Sequence, residues 1–323
     1  MRRWLVRPFR YRPQREIGVT GVGVRSALRV LAVVLVLVLV GYLGISWRYA
    51  DGVTRVTRDP FVKAAEYVAP THEDVSFKND AGLTLKGWWF TAPQPRGRAV
   101  VEVHGKDQNR IDSSFDPGRQ ARFLLANGYS VLLFDLQAHG ESEGLRWGLG
   151  QYEADDIVAA VKLAAAKAGI TKDRVATIGE SMGGGSVLMA VGRDPGIGPA
   201  VLDSAYASAP VVVGEVGPKY SHLPSFFTPG LVLMARLLYA RDVGAVVPAD
   251  VVRAHPERAF LFIQCENDDT VNPHHAADLK AASANAASEL WVVANCGHVK
   301  AFVTHPQEWQ DHVLAFLEAR LGP

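Results

Sequence analysis

Six short and nearly all-apolar segments recur through the chain, and stretches with helical character lie between most of them. The apolar segments are Ala99–Val103, Ser130–Phe134, Arg174–Ile178, Pro199–Leu202, Ala259–Ile263 and Leu290–Ala294. The helical stretches are Tyr152–Ala168, Ser181–Val191, Pro273–Ala282 and Pro306–Leu321. Apolar runs of strand length that alternate with helices indicate parallel strands covered by helices on both faces. The sequence therefore predicts an α/β fold.

Two other regions add to this alternating series. Val75–Lys78 and Leu83–Phe90 have strand character and are joined by a turn at Asn79–Gly82, so a hairpin is expected to bring the sheet to eight mostly parallel strands. The interval 205–258 is too long for a simple crossover and contains several prolines. We interpret this interval as a small lid above the carboxyl ends of the strands, where ligands bind in open α/β sheets.

The N-terminal region combines many arginines with one long apolar run. Residues 27–47 carry no charge except Arg29 and are long enough, at ~1.5 Å per residue, to cross one bilayer. The arginines ahead of this run predict a cytoplasmic N-terminus and an extracytoplasmic remainder. A cleaved signal peptide is the alternative, but no typical cleavage site follows the run. The predicted organisation is a basic tail (1–26), a signal-anchor helix (27–47), a connector (48–73) and a main domain (74–323).

Composition narrows the classes of partner and cofactor. The formal net charge is +1 with 21% charged residues, so nothing in the charge balance favours nucleic acid as a partner. The two cysteines are too few for a disulfide framework and lack the spacing of a zinc site. We therefore expect no metal and no cofactor, and make no prediction of the oligomeric state.

A Gly-x-Ser-x-Gly motif lies at Gly179–Gly183, after one predicted strand and at the start of a predicted helix. A nucleophile elbow needs this strand-turn-helix setting, because the glycines permit a sharp turn that presents the serine hydroxyl at a helix N-terminus. The bare motif is common by chance, but its setting here predicts that Ser181 is a nucleophile.

A serine hydroxyl is a weak nucleophile until a base accepts its proton. His298 is the best candidate base, because it follows the last predicted strand in a loop where Gly297 permits close approach. His104 and His139 are alternatives, but both precede Ser181 in the chain.

The carboxylate that orients this histidine is expected after the penultimate strand. Asp268 is the preferred residue there, with its neighbour Asp269 as one alternative and Asp203, which follows the preceding strand, as another. Such a carboxylate fixes the histidine tautomer and stabilises the imidazolium without taking the proton.

Acyl transfer also needs two backbone donors for the oxyanion. The first expected donor is the N–H of Met182, directly after the nucleophile. The second is the N–H of Lys106, which follows His104-Gly105 at the end of a predicted strand.

Taken in chain order, His104-Gly105, the serine motif, Asp268 and His298 resemble the α/β-hydrolase superfamily over most of the chain after the connector. The segment around Ser181 is also similar to that of membrane-anchored Bem46-like serine hydrolases. The resemblance implies an α/β-hydrolase fold and the activity of an esterase, a lipase or a serine peptidase.

Some residues depart from the pattern of this superfamily. Gln264-Cys265 stands where His-Gly is usual, and Gln137-Ala138 stands where Arg-Gly is usual. Glu102, in the middle of an apolar strand, has no explanation in the sequence, since a buried carboxylate needs a partner.

Cys265 and Cys296 end the last two strands, which are neighbours in this architecture. Adjacent strands lie ~4.8 Å apart, within reach of disulfide geometry, and an exported domain meets an oxidising compartment. A disulfide between these residues is therefore a hypothesis, with two separate buried thiols as the alternative.

The predicted function is hydrolysis of a carboxylic ester through an acyl-Ser181 intermediate. An ester is favoured over a peptide because no charged specificity pocket is evident in the sequence. A serine peptidase and an acyltransferase are the alternatives on the same fold, and a non-catalytic, membrane-anchored binding module is the alternative of another class. The expected partners are a small acyl substrate and the membrane.

Overall fold

The computed structural model describes residues 21–58, 60–112 and 115–322, so residues 1–20 of the predicted basic tail lie outside the described residues. The chain divides into two compact units, with the boundary between Gly44 and Ile45.

A single helix, α1 (Gly21–Thr54), begins in the first unit and ends in the second. Between Val24 and Val40 its valine and leucine side chains are exposed. The segment Gly23–Thr54 has a mean hydropathy of 2.7 in its apolar window. This length and composition suffice to cross a membrane, a requirement that a signal sequence also meets.

The second unit contains one sheet of eight strands, in the order β1-β2-β4-β3-β5-β6-β7-β8. The strands are β1 (Glu73–Lys78), β2 (Thr84–Phe90), β3 (Ala99–Val103), β4 (Ser130–Phe134), β5 (Val175–Glu180), β6 (Ala200–Asp203), β7 (Phe260–Cys265) and β8 (Glu289–Val293). β2 pairs antiparallel with both β1 and β4, and the remaining neighbours are parallel. The predicted α/β class with a mostly parallel eight-stranded sheet is confirmed.

Helices cover both faces of this sheet. Those after α1 are α2 (Pro117–Ala126), α3 (Glu153–Ala168), α4 (Met182–Arg193), α5 (Ala209–Ser221), α6 (Thr228–Tyr239), α7 (Pro248–Ala254), α8 (His274–Ala282), α9 (Ala301–Thr304) and α10 (Pro306–Leu321). Since successive strand side chains point to opposite faces, Val101 packs into the core formed with α3, α4 and α8, whereas Val100 packs into the core formed with α2 and α10. Full burial of each such side chain stabilises the fold by about 1.5–3 kcal/mol.

The interval between β6 and β7 holds three helices. Pro210, Pro229 and Pro248 lie in the first turns of α5, α6 and α7, where the missing N–H of proline costs no hydrogen bond. α7 packs on the core through Val252. α5, α6 and the segment between them line one cavity together with Ser181, at the carboxyl end of β5. Within the predicted lid interval, 205–258, we call residues 209–239 the lid.

α1 continues past Trp47, the end of the predicted membrane span, to Thr54, so its last turns lie within the predicted connector. The extra turns are held by the second unit, in which Ala50 is fully buried. Trp147 donates its indole N–H to the carbonyl of Val53 (2.8 Å), a bond that sequence periodicity does not reveal. Tertiary contacts therefore extend the helix seven residues beyond its apolar run.

Candidate active site

Ser181 lies in a sharp turn between β5 and α4. Its backbone has φ 51° and ψ −118°, a strained conformation for a residue with a side chain. The glycines on either side are required by space, since a Cβ on Gly183 would overlap the carbonyl oxygen of Val103 and a Cβ on Gly179 would lie 2.7 Å from the carbonyl oxygen of Gly183. This turn is the nucleophile elbow that the sequence motif predicts.

Three predicted site residues meet in one hydrogen-bonded chain. The Ser181 Oγ lies 2.9 Å from His298 Nε2, and His298 Nδ1 lies 2.8 Å from Asp268 Oδ2. Because a carboxylate only accepts, the neutral ring carries its proton on Nδ1 and leaves Nε2 to accept the serine hydroxyl. The geometry is that of a base held ready for the proton of Ser181.

Asp268 is fixed by several donors. Its Oδ1 accepts the N–H groups of Thr270 (2.9 Å) and Val271 (2.8 Å), and its Oδ2 also accepts the amide of Gln264 (3.1 Å). Burial of this carboxyl acts to raise its pKa, but the hydrogen bond and charge of His298, together with the backbone donors, outweigh burial and hold the pKa below its usual value. The carboxylate is therefore ionised and oriented.

The two alternative acids occupy other positions. Asp269 is exposed and pairs with Lys219 of α5 (2.8 Å). Asp203 is buried and accepts the hydroxyl of Ser204 (3.0 Å), and burial raises its pKa to about 7. In the described part of the chain, Asp268 is the carboxylate that contacts the ring of His298.

The alternative histidines serve as internal supports. His104 is buried, and its Nε2 accepts the N–H of Leu136 (3.1 Å). Burial lowers the pKa of His104 to about 4. The ring of His139 packs against that of His104 with 5.0 Å between centroids. These contacts hold the loop after β4.

The two residues predicted to supply the oxyanion donors are next in chain order to groups close to Ser181. The N–H of Met182 is at the first turn of α4, where a helix has no acceptor of its own to offer. The loop after β3 comes close to Ser181, because a Cβ built on Gly105 would lie 3.5 Å from the Cβ of Ser181. Gly105, Lys106 and Met182 all line the same cavity as the serine hydroxyl.

This cavity has a volume of about 420 Å³ and lies between the lid and the sheet. Ser181 and His298 form part of its wall. Apolar side chains dominate the remainder, among them Trp147, Leu149, Tyr206, Val212, Val213, Val216, Phe227, Leu231, Val243 and Val271. Val53 and Thr54, at the end of α1, also line it, which the sequence analysis did not anticipate.

A disulfide links the two loops that carry the acid and the base. Cys265 and Cys296 are bonded to each other, with 5.1 Å between their Cα atoms. The N–H of Asn267 also donates to the carbonyl of Cys296 (3.0 Å). The bond ties the ends of β7 and β8 together within three residues of Asp268 and His298.

Glu215 of α5 contacts both His274 and His275 of α8, and these three residues have ligand atoms within 4.8 Å of one another. His275 Nδ1 accepts the N–H of Ala207 (3.2 Å), so the ring proton lies on Nε2, 3.1 Å from Glu215. A metal at that nitrogen would have to displace this proton. The arrangement therefore favours a hydrogen-bonded contact between the lid and the core over a metal centre.

Comparisons with known proteins agree with this architecture. YfhR of Salmonella typhimurium is 24% identical over 266 residues, which are 77% of this chain and 82% of that protein. A protein of Mycobacterium tuberculosis is 33% identical over 165 residues, 50% of this chain and 55% of its own. Among solved structures, an esterase of Pyrococcus furiosus, Pf2001, matches with a TM-score of 0.67 at 24% identity, covering 83% of this chain and 99% of that one. This structural likeness shows the fold.

The model of the prolyl oligopeptidase family matches residues 119–323, well over half of the chain. The matched region includes the serine elbow, the loops that carry Asp268 and His298, and the lid. The chain therefore belongs to the prolyl oligopeptidase family of serine hydrolases, with the α/β-hydrolase fold.

Proposed function

We propose that this serine hydrolase cleaves a carboxylic ester through an acyl-Ser181 intermediate, with His298 as general base and Asp268 as the orienting acid. The observation that carries the proposal is the chain of contacts from Ser181 Oγ to His298 Nε2 and from His298 Nδ1 to Asp268 Oδ2. Each contact has the length of a hydrogen bond, and each atom has the donor or acceptor role that the chemistry needs.

The reaction would proceed in two halves. His298 accepts the proton of Ser181 as its oxygen attacks the acyl carbon, and the N–H groups of Met182 and Lys106 stabilise the oxyanion. The imidazolium, stabilised by Asp268, then gives the proton to the leaving alcohol. Water, activated by the same histidine, attacks the acyl-serine and releases the acid.

The cavity supports an acyl substrate. Most of its lining is apolar, and the charged side chains at its wall, Lys106, Asp107 and Arg241, are few. An apolar wall binds an acyl chain by removing its surface from water, at about 25 cal/mol per Å². A peptidase is the second candidate, favoured by the match to the prolyl oligopeptidase family.

The test is labelling of the full-length protein with a fluorophosphonate, followed by intact mass. We expect one adduct on the wild type, no adduct on Ser181→Ala, and much slower labelling of His298→Ala. An unlabelled, well-folded wild type would reject catalysis in favour of the binding-module alternative. Rates on matched ester and amide substrates would then separate an esterase from a peptidase.

We also propose that α1 anchors the protein in a membrane, with the N-terminus cytoplasmic and the catalytic unit outside. Support comes from the hydropathy of Gly23–Thr54, from the arginines that precede the apolar run, and from the Cys265–Cys296 disulfide, a bond that persists in oxidising compartments. Protease added to intact cells should degrade the catalytic unit if this orientation holds. Protection of that unit until the cells are lysed would contradict it.

A further inference from the structure

The lid helix α6 is apolar on two opposite faces. Its inner face contributes Leu231 and Ala235 to the cavity wall. Its outer face leaves Leu233 45% exposed and Leu237 65% exposed. The helix contains a single charged residue, Arg236, which pairs with Asp242 (3.3 Å). A helix that is apolar all round normally has both faces covered, so the outer face indicates a partner outside the described structure.

The exposed apolar surface extends beyond these two leucines. Phe226, in the turn before the helix, is 62% exposed. We call these three residues, Phe226, Leu233 and Leu237, the lid patch. None of the three lines the catalytic cavity, so the patch is a separate surface.

The chemistry of the partner is indicated by what holds the end of α6. Tyr239, its last residue, accepts the indole N–H of Trp47 (2.9 Å) and donates its hydroxyl to Asp51 (3.0 Å). Trp47 is the residue at which the apolar run of α1 ends. Trp and Tyr side chains favour the boundary between lipid and water. The end of α6 therefore contacts the residue that would mark the edge of a membrane span.

We propose that the lid patch lies in the headgroup boundary of the bilayer that α1 spans, and that the site takes acyl esters dissolved in this bilayer. The proposal rests on the proposed anchor and deepens the proposed esterase function. Helices that lie in this boundary bury an apolar face about 5–10 Å deep, a depth that leucine side chains on one face can reach. Because the opposite face of α6 forms the cavity wall, one helix separates lipid from the acyl site.

Lipid contact is measurable with a single introduced thiol, because both native cysteines are held in the disulfide. The full-length variant Leu237→Cys, labelled with an environment-sensitive fluorophore, is placed in phosphatidylcholine nanodiscs that contain lipids spin-labelled near the headgroup and lipids spin-labelled along the acyl chain, so that both depths of the bilayer are covered. Val36→Cys, inside the apolar run, is the positive control. Ala286→Cys is the negative control, because this exposed residue lies in the loop before β8, at the amino ends of the parallel strands, whereas the site lies at their carboxyl ends.

We expect the spin labels to reduce fluorescence about two-fold or more at positions 36 and 237 and little at position 286, since only the first two would contact lipid. Quenching at position 36 with a Leu237→Cys signal as bright as that of Ala286→Cys would overturn the proposal. If position 36 is not quenched either, the anchor fails and the lid proposal fails with it. Fluorophosphonate labelling of the same samples reports separately on the triad.

An activity measurement tests the substrate class. The double variant Leu233→Gln with Leu237→Gln makes the lid patch polar while keeping good helix formers. We expect an unchanged rate on a water-soluble acetate ester and a rate at least several-fold lower on a long-chain ester held in phosphatidylcholine vesicles. Val292→Thr, on the exposed edge strand β8, is the matched control and should lower neither rate. Equal rates of double variant and wild type on the vesicle substrate would overturn the bilayer route.

Discussion

At the scale of single residues, the chain from Ser181 through His298 to Asp268 makes the sharpest prediction. Asp268→Asn should lower kcat by about 10⁴-fold, because an amide nitrogen facing Nδ1 favours the wrong histidine tautomer. The fold should remain, since the asparagine side chain still accepts the N–H groups of Thr270 and Val271 through its oxygen. The measurement is the ester hydrolysis rate beside the melting temperature.

Asp269→Asn is the matched control for this variant. It changes the neighbouring carboxylate in the same way, but Asp269 is exposed and contacts Lys219 instead of the histidine. We expect its rate to stay within about two-fold of the wild type, as for an exposed ion pair. If Asp268→Asn and Asp269→Asn lose activity to a similar extent, Asp268 is not the specific carboxylate that orients His298.

The buried Glu102 makes a second prediction. Burial raises its pKa well above the usual value, with the charge of Asp116 acting in the same direction. An acid whose pKa is raised by folding costs stability as pH rises above its unfolded pKa, because the unfolded state alone releases the proton. Glu102→Gln should therefore raise the melting temperature, by more at pH 7 than at pH 5. Glu66→Gln, at an exposed position, is the control. A loss of stability in Glu102→Gln at both pH values would contradict a protonated, neutral Glu102 in the folded protein.

Sequence analysis identified the three residues of the hydrogen-bonded chain because their type and order follow from the chemistry of acyl transfer. It could not assign Gln264, noted only as a departure from the usual pattern. The amide of Gln264 donates to Asp268 Oδ2 (3.1 Å) and to the carbonyl of Val271 (3.3 Å). Such contacts depend on side-chain packing at the end of β7, which no sequence pattern specifies.

At the scale of elements, buried strands were predicted better than elements that depend on distant contacts. Ala99–Val103 and Ser130–Phe134 were predicted to the residue, because every position in them is buried and nearly every one is apolar. α2 was not named, since it starts with Pro117-Gly118 and carries two arginines within one short helix. α1 continues seven residues past the predicted membrane span, because contacts with distant residues, such as the hydrogen bond from Trp147 to Val53, hold its last turns.

The contact between α5 and α8 makes the lid sensitive to pH. His274 contacts Glu215 (2.7 Å) and Asp278 (3.0 Å), and these two carboxylates raise the pKa of His274. Burial acts to raise the pKa of Glu215, but the facing histidines outweigh burial and lower it. His275, the other facing group, has its pKa lowered by burial. The ion pair is complete above the ordinary pKa of Glu215 and below that of His274.

The stability that protonated His274 contributes is lost as pH rises through the raised pKa of His274 in the folded protein. We therefore expect the amide hydrogens of α5 to exchange faster at pH 8.5 than at pH 6, after correction for intrinsic exchange. Glu215→Gln should abolish the difference, whereas Glu257→Gln, which removes a carboxylate next to His255 outside the lid, should leave it. A wild-type lid with equal protection at both pH values would contradict this role.

The disulfide makes the second prediction for elements. Cys265 and Cys296 are 31 residues apart, and a cross-link of this span stabilises a fold by about 3–4 kcal/mol through the unfolded state. The double variant Cys265→Ala with Cys296→Ala should lose about this much unfolding free energy in denaturant titrations. Two thiols that alkylate freely in non-reduced, unfolded wild type would remove the basis for the prediction.

At the scale of the whole molecule, the last turns of α1 belong to the same compact unit as Ser181, His298 and Asp268. Arg146 donates to the carbonyl of Asp51 (3.0 Å), Trp147 donates to that of Val53 (2.8 Å), and Thr54 lines the cavity. The last turns of α1 therefore form part of the wall of the cavity that contains Ser181. We therefore expect the length of any truncation to decide whether the hydrolase remains intact.

A chain that starts at Ile45 keeps these turns, whereas a chain that starts at Val56 loses them. Loss of the hydrogen bonds at about 0.5–1.5 kcal/mol each, together with the buried surface of Ala50, should lower the melting temperature of the shorter chain by roughly 5–10 °C. Its KM for an ester should also rise, because Val53 and Thr54 no longer close the cavity. The measurement compares both truncations in the same detergent with the full chain. Equal melting temperatures and equal KM values for the two truncations would show that the last turns of α1 contribute neither to the stability of the catalytic unit nor to substrate binding.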